Sequence, residues 1–284
     1  MRQNPSQKIA CLSVDVEPDL GRSTEQVRLF EDESRLDALC SLLRREDVPL
    51  TCFVVMKHAK FYADSLSFLA DRISVEFAVH SFSHDQRFPA SVTEISWAWD
   101  SYCNLWNRKP RGYRSPHCLI STSGLRNLTS QGFLYDSSVT PSVRFDQFKY
   151  NNLHLPTDPF WFKLREQSIL ELPIACFSIF RIPLILSYAK LIGPRAMHIA
   201  NHVLSLPDVV VVYFHPYDLY VAEIAGDIQG WKRYAHLRNA RYGMRILENM
   251  ISMLKRRGYK FMLMENAVAE VASRDCPVLS TLGG

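Results

Sequence analysis

No two of the seven cysteines (Cys11, Cys40, Cys52, Cys103, Cys118, Cys176 and Cys276) form a C-x-x-C pair, and an odd number does not close into a disulfide framework. Several stand inside apolar segments, where a free thiol behaves as a small hydrophobe. That usage points to a reducing, cytoplasmic setting. The chain also lacks a Gly/Ser-rich or Pro-rich linker, so its 284 residues read as a single domain over 1–284. The opening Met-Arg-Gln-Asn-Pro-Ser-Gln-Lys runs directly into an apolar strand, without an h-region of signal-peptide type. The longest apolar stretch, Ile174 to Ile192, is broken by Arg181, Pro183 and Lys190. A bilayer span needs roughly 20 largely uninterrupted apolar residues, which excludes a transmembrane helix here and leaves open a surface-lying segment in peripheral contact with a membrane.

Charge of one sign is equally scarce. Lys and Arg number 33 against 29 Asp and Glu, a net of +4, and the one basic cluster, Lys255-Arg256-Arg257, sits at a helix end where cations are favoured. A nucleic-acid partner is not indicated. Oligomeric state leaves no mark.

What is present is a globular composition, 47% hydrophobic and 22% charged, arranged as alternating strands and helices. Strands are expected at Ile9–Val16, Thr51–Met56, Ser74–Val79, Gly112–Ser115, Phe133–Asp136, Ile169–Ile174, Val209–Phe214 and Lys260–Met264. Helices are expected at Glu33–Arg45, around Phe61–Ala70, after the S-x-x-E capping box Ser91–Glu94, at Ser123–Gln131, over about 182–204, at Arg238–Arg257 and at the C-terminal end. Periodicity fails over 141–168, which reads as an irregular insertion forming a lid or wall beside a site. The alternation implies an α/β fold with a mostly parallel sheet, closed or nearly closed.

Four short islands at strand ends carry chemistry: Asp15-Val-Glu17, His80-Ser-Phe-Ser-His84, Arg111-Gly-Tyr-Arg114-Ser-Pro116 and His215-Pro-Tyr-Asp218. Asp15 and Glu17 alternate with Val16 and share a strand face. Two carboxylates there suit a division of labour in which one binds a metal and the other accepts a proton from water. His80 and His84, four apart, would lie on one side of a single helical turn and supply half of a metal site, with Glu17 as a third ligand. His198 and His202 share that spacing but stand in an apolar helical segment without a strand end or nearby carboxylate, and read as packing or a solvent-facing accident. Arg114 can fork onto a carboxylate and hold it ionised. His215, after a buried strand, titrates in the range suited to protonating a leaving amine.

In their order these islands resemble the polysaccharide deacetylases of carbohydrate esterase family 4, the NodB-homology superfamily, over about Ile9 to Met264. The resemblance implies a distorted (β/α) barrel of about seven parallel strands. It implies Asp15 as base, Glu17, His80 and His84 as metal ligands, Arg114 bracing Asp15, and His215 as general acid. Val16 stands where the family's second Asp would be, so the ligand role moves to Glu17, as in an Asp-Val-Glu subgroup. Tyr135-Asp136-Ser-Ser138 and Glu171-Leu-Pro173 are similar to segments of that subgroup. Tyr113, Pro116, Asp136 and Tyr217 are the expected substrate-side residues. The cofactor implied is a divalent metal, zinc first, with cobalt, nickel, manganese or iron as alternatives. The activity implied is removal of an acetyl or formyl group from an N-acylated amino sugar, on a nucleotide-linked, lipid-linked or otherwise glycosylated intermediate. Alternatives are a metal-independent amidohydrolase acting on a ureide or cyclic amide, and a non-catalytic sugar-binding protein.

Overall fold

A computed structural model of the chain describes residues 7–19, 26–85, 87, 89–146, 148–164, 167–220 and 229–282. Its strands are β1 (Ile9–Val16), β2 (Leu50–Val54), β3 (Val75–Val79), β4 (Gly112–Tyr113), β5 (Tyr135–Asp136), β6 (Val143–Arg144), β7 (Tyr150–Asn151), β8 (Phe160–Leu164), β9 (Gln167–Glu171), β10 (Val209–Phe214), β11 (Lys260–Phe261) and β12 (Val278–Leu279). Seven of them, in the order β10-β1-β2-β3-β4-β5-β9, pair in parallel. The ring closes just beyond β9, where Ile174 bridges Val211 of β10 in parallel and Ala175 N–H donates to the Val211 carbonyl at 2.9 Å. This is the closed, mostly parallel sheet that the alternation implied, in the barrel form that the resemblance implied.

The apolar continuity of β1 follows from burial on both faces, and all eight of its residues are inaccessible. Ile9 and Cys11 point into the barrel with Phe53, Ala78, Tyr135, Leu170, Leu172 and Val211. Ala10, Leu12, Val14 and Val16 point out, against the helices that carry Leu36, Leu39, Leu43, Ile95, Ala98, Leu247 and Ile251. Inward alternation continues to Ser13 and Asp15, so the barrel's packed interior becomes polar where β1 ends.

Helix Glu33–Arg45 starts on the Asp32 side chain, which accepts the Ser34 and Arg35 N–H groups, and buries the expected leucines. Other elements differ from expectation for identifiable reasons. The helix expected over 182–204 is two helices, Leu186–Ile192 and Pro194–Val203, separated at Gly193, whose φ of 90° breaks the helical path. Leu184, Leu186 and Ala189 are buried, so the first of these helices packs into the fold, and among the described residues no helix is long and apolar enough to cross a membrane. The helix expected at 238–257 begins properly at Gly243, because Asn239 takes a left-handed backbone and ends the preceding helix Gly230–Leu237. The 141–168 insertion is less irregular than expected: β6 and β7 form an antiparallel pair, and β8 returns antiparallel along β9.

Candidate active site

The C-terminal ends of β1, β3, β4 and β10 deliver Asp15, Glu17, His80, Arg114 and His215 to one rim, as strand ends in a barrel do. Glu17, His80 and His84 converge so that one ligand atom from each lies within 4.8 Å of the others. His84 Nε2 stands 2.6 Å and His80 Nε2 3.4 Å from Glu17 Oε2. The histidines do not meet on a helical turn. Ser81 and His84 both have left-handed backbones, with φ of 59° and 61°, and the loop curls the second imidazole back onto the first. Glu94 holds that loop. Its Oε2 accepts the Phe82 and Ser83 N–H groups at 3.2 and 2.8 Å, and its Oε1 accepts the Ser83 hydroxyl at 2.7 Å. The capping box read from Ser91 and Glu94 is therefore half formed: Ser91 caps the Glu94 N–H, while the Glu94 side chain serves the histidine loop.

These residues fit a divalent cation. His80 Nδ1 lies 2.9 Å from the Arg114 carbonyl, which can only accept, so the proton sits on Nδ1 and the Nε2 lone pair faces Glu17. His84 Nε2 is buried and has no hydrogen-bond partner despite its closeness to the carboxylate. Two imidazoles and a carboxylate are a catalytic donor set with coordination to spare. Burial alone would raise the Glu17 carboxyl, but His84, then His80 and His215, hold it well below the usual range.

Asp15 lies beside this cluster, 3% exposed. Arg114, fully buried, donates from Nη1 to Asp15 Oδ1 at 2.7 Å and to Ser13 Oγ at 2.9 Å. Its Nε and Nη2 bond the carbonyl and hydroxyl of Ser137, each at 3.0 Å, and its guanidinium carbon lies 4.0 Å from the Phe53 ring centroid. A planar fork held at three edges presents Asp15 in one orientation.

His215 closes the other side, with Nε2 3.7 Å from Glu17 Oε1 and Nδ1 3.2 Å from Asp218 Oδ2. Asp218 is inaccessible and also takes Lys190 Nζ at 3.1 Å and the Ser187 hydroxyl at 2.8 Å. Burial would lower the His215 imidazole, yet the hydrogen bond to Asp218 and the charges of Glu17 and Asp218 push it up to about 9. Burial opposes ionisation of Asp218 too, but Lys190 and His215 hold it below the usual carboxylate range.

Of the expected substrate-side residues, Tyr217 is at the site: its ring stacks on His215 at 4.6 Å and its hydroxyl lies 3.4 Å from Glu17 Oε1. Tyr113 and Asp136 lie away from the surface. Both are fully buried, Tyr113 donating to the Pro89 carbonyl and Asp136 turned toward Glu171. Pro116 is buried as well and starts the short helical turn Pro116–Cys118. That turn brings in His117, which sequence reasoning missed. Its ring stacks on Phe148 of the insertion at 3.9 Å and meets His84 edge-on at 5.3 Å. Burial, then His84, push its pKa down to about 4. His198 and His202 lie exposed on their helix and, among the described residues, join no carboxylate in a metal-type cluster.

The polysaccharide deacetylase family model matches residues 2–135, which include Asp15, Glu17, His80, His84 and Arg114. Over those residues the chain is similar to the polysaccharide deacetylases. A provisionally named polysaccharide deacetylase from Mycobacterium smegmatis shares the fold at a TM-score of 0.62 and 16% identity, covering 98% of this chain and 96% of that one. A family 4 pseudoenzyme from Bacillus anthracis superimposes at 0.53 and 15% identity, over 94% of this chain and 67% of that one. A 4-α-glucanotransferase from Thermococcus litoralis does so at 0.61 and 13% identity, over 97% of this chain and 42% of that one. The same barrel thus carries different activities, and the site must decide among them. No curated protein matches the chain.

Proposed function

We propose that the chain is a metal-dependent hydrolase that removes an N-acyl group, acetyl or formyl, from an amino sugar. The observation that carries this reading is the convergence of Glu17, His80 and His84 beside an Asp15 braced by Arg114 and opposite a His215 backed by Asp218. A divalent cation, zinc first for this donor set, supplies the charge that polarises an acyl carbonyl and acidifies water. Asp15 takes the proton from the attacking water. His215, whose imidazole the hydrogen bond and charge of Asp218 push up, gives its Nε2 proton to the amine as the C–N bond breaks. Tyr217 fixes the plane of that imidazole by stacking.

The deacetylase match supports an acetylated sugar as the substrate class, and Glu17 two residues after Asp15 supports the Asp-Val-Glu subgroup. The sugar in this reading is borne on a nucleotide, a lipid or a glycosylated intermediate. All seven cysteines are free, which agrees with a reducing compartment.

The test is elemental analysis beside an acetate- and formate-release assay on N-acylated sugars, nucleotide sugars and glycolipids. About one transition metal per chain with chelator-sensitive release is expected. Asp15→Asn should keep the metal and lose turnover, while His80→Ala should lose both. An Asp15→Asn protein with undiminished rate would sink the assignment of the base.

A further inference from the structure

Asp136 and Glu171 are register partners on the parallel strands β5 and β9, and both are fully buried. Tyr135, Leu170 and Leu172 point into the barrel, so alternation turns the two acids together onto its outer face. Asp136 Oδ1 accepts the Ser138 hydroxyl at 2.7 Å, and Oδ2 accepts the Ser138 N–H at 3.3 Å. Glu171 Oε1 accepts the Val139 N–H at 2.9 Å. Among the described residues, buried Glu171 Oε2 has no N–H or O–H donor; the group it faces is the Asp136 carboxyl. Among the described residues neither acid has a salt-bridge partner.

Two carboxyl groups in contact and out of water cannot both stay ionised, and a proton between them supplies the donor that Glu171 Oε2 lacks. We propose that Asp136 and Glu171 hold one proton between them, and that this acid pair is a positioning element for Arg114 and, through it, for Asp15. The catalytic consequence rests on the hydrolase reading above.

The route is short. Ser138 and Val139 are anchored by the pair, and Ser138 Oγ also accepts the Ser115 N–H at 2.8 Å, which ties down the residue after Arg114. Ser137, between Asp136 and Ser138, turns toward the barrel interior. Its hydroxyl donates to the Leu172 carbonyl at 2.8 Å while accepting from Arg114 Nη2, and its carbonyl takes Arg114 Nε. With those donors committed, Nη1 is left for Ser13 and Asp15.

The titratable groups around the pair are Arg114, Tyr113 and Cys118. Burial raises Tyr113 and Cys118, so they are neutral near pH 7, and the charge of Arg114 opposes the rise of Asp136. Burial first raises both acids, and for Glu171 the Asp136 charge adds to it.

Infrared difference spectra of wild type against Glu171→Gln at neutral pH test the proton directly. With an amide N–H standing in for it, Asp136 ionises and a protonated-carboxyl stretch disappears; a difference spectrum without that band overturns the shared proton. The Arg114 Nε–H nitrogen resonance tests the brace. It should hold its position in Glu171→Gln and move in Glu171→Leu, and an unmoved resonance overturns the coupling. In kinetics, Glu171→Leu should lower kcat about 100-fold with KM and metal content kept, as for a misplaced catalytic group, and Glu171→Gln should restore the rate. Undiminished kcat in Glu171→Leu overturns the positioning role. If the wild type hydrolyses no N-acyl sugar, the hydrolase reading fails, while the infrared and nitrogen spectra still decide the pair.

Discussion

Glu94, one turn into a helix, holds Ser83 by both its N–H and its hydroxyl, and so fixes the loop between His80 and His84. Glu94→Ala removes that hold without removing a ligand. The expected result is a loss of about 10- to 100-fold in metal affinity, the usual cost of an outer-shell partner. Zinc or cobalt titration of the apoprotein measures it, and unchanged affinity would mean the left-handed loop stands by itself.

Lys190 and Asp218 form an ion pair in which both side chains are inaccessible. Lys190→Met leaves the buried Asp218 carboxylate without its lysine counter-charge, and should cost about 3–5 kcal/mol in urea unfolding. Adding Asp218→Asn should recover much of that stability but none of the turnover, because His215 loses the carboxylate charge that favours its protonated form. Recovery of both would show that Asp218 serves only the fold.

Glu76, on β3 below the site, accepts bonds from Tyr135, Thr51 and the Glu265 N–H, yet burial pushes its carboxyl up to about 7. Between its ordinary value of 4.5 and about 7, the folded chain keeps a proton that the unfolded chain has released. Its contribution to stability is therefore full below about pH 4.5, falls as pH rises through about 7, and is flat beyond. Urea midpoints of Glu76→Gln should lack this component of the decline. An identical slope in both proteins would place the carboxyl at its ordinary value.

Gly112 leaves room for the Tyr135 ring, which a Cβ would overlap. Gly112→Ala should destabilise by about 1–3 kcal/mol or more, as overpacking does. It should also weaken the Tyr135 bond to Glu76. Equilibrium unfolding checks the first effect, and the Glu76-dependent pH slope the second.

The strand-end acids, imidazoles and guanidinium were legible because each closes an apolar run, and the structure brings Asp15, Glu17, His80, His84, Arg114 and His215 to one rim. The barrel was legible for the same reason, through runs such as Val209–Phe214. What escaped was non-local or conformational. Lys190 reads as a break in an apolar stretch until Asp218, 28 residues on, is beside it. Glu94 has the spacing of a helix cap, and nothing local says that its carboxylate turns to Ser83 instead. Left-handed backbones at Ser81, His84, His117 and Asn239 are carried by residues that tolerate them without announcing them. In the insertion, Pro156 and Pro159 signal loop, while β8 is fixed by pairing with β9.

The ring of strands is unevenly fastened. From β10 through β1 and β2 to β3, consecutive registers of five or six residues hold it, whereas between β9 and β10 it is joined by single bridges. Asp15, Glu17, His80 and His215 hang from that arc, while Arg114 follows β4, which joins β3 by the single pair Val79 and Tyr113, and is fixed instead by its bonds to Ser13, Asp15 and Ser137. The insertion, with His117's partner Phe148, attaches on the side of the loose clasp. The barrel therefore divides its mechanical duties: one arc keeps Asp15, Glu17, His80 and His215 in fixed register, and the opposite edge can yield to the outline of what is bound without disturbing them.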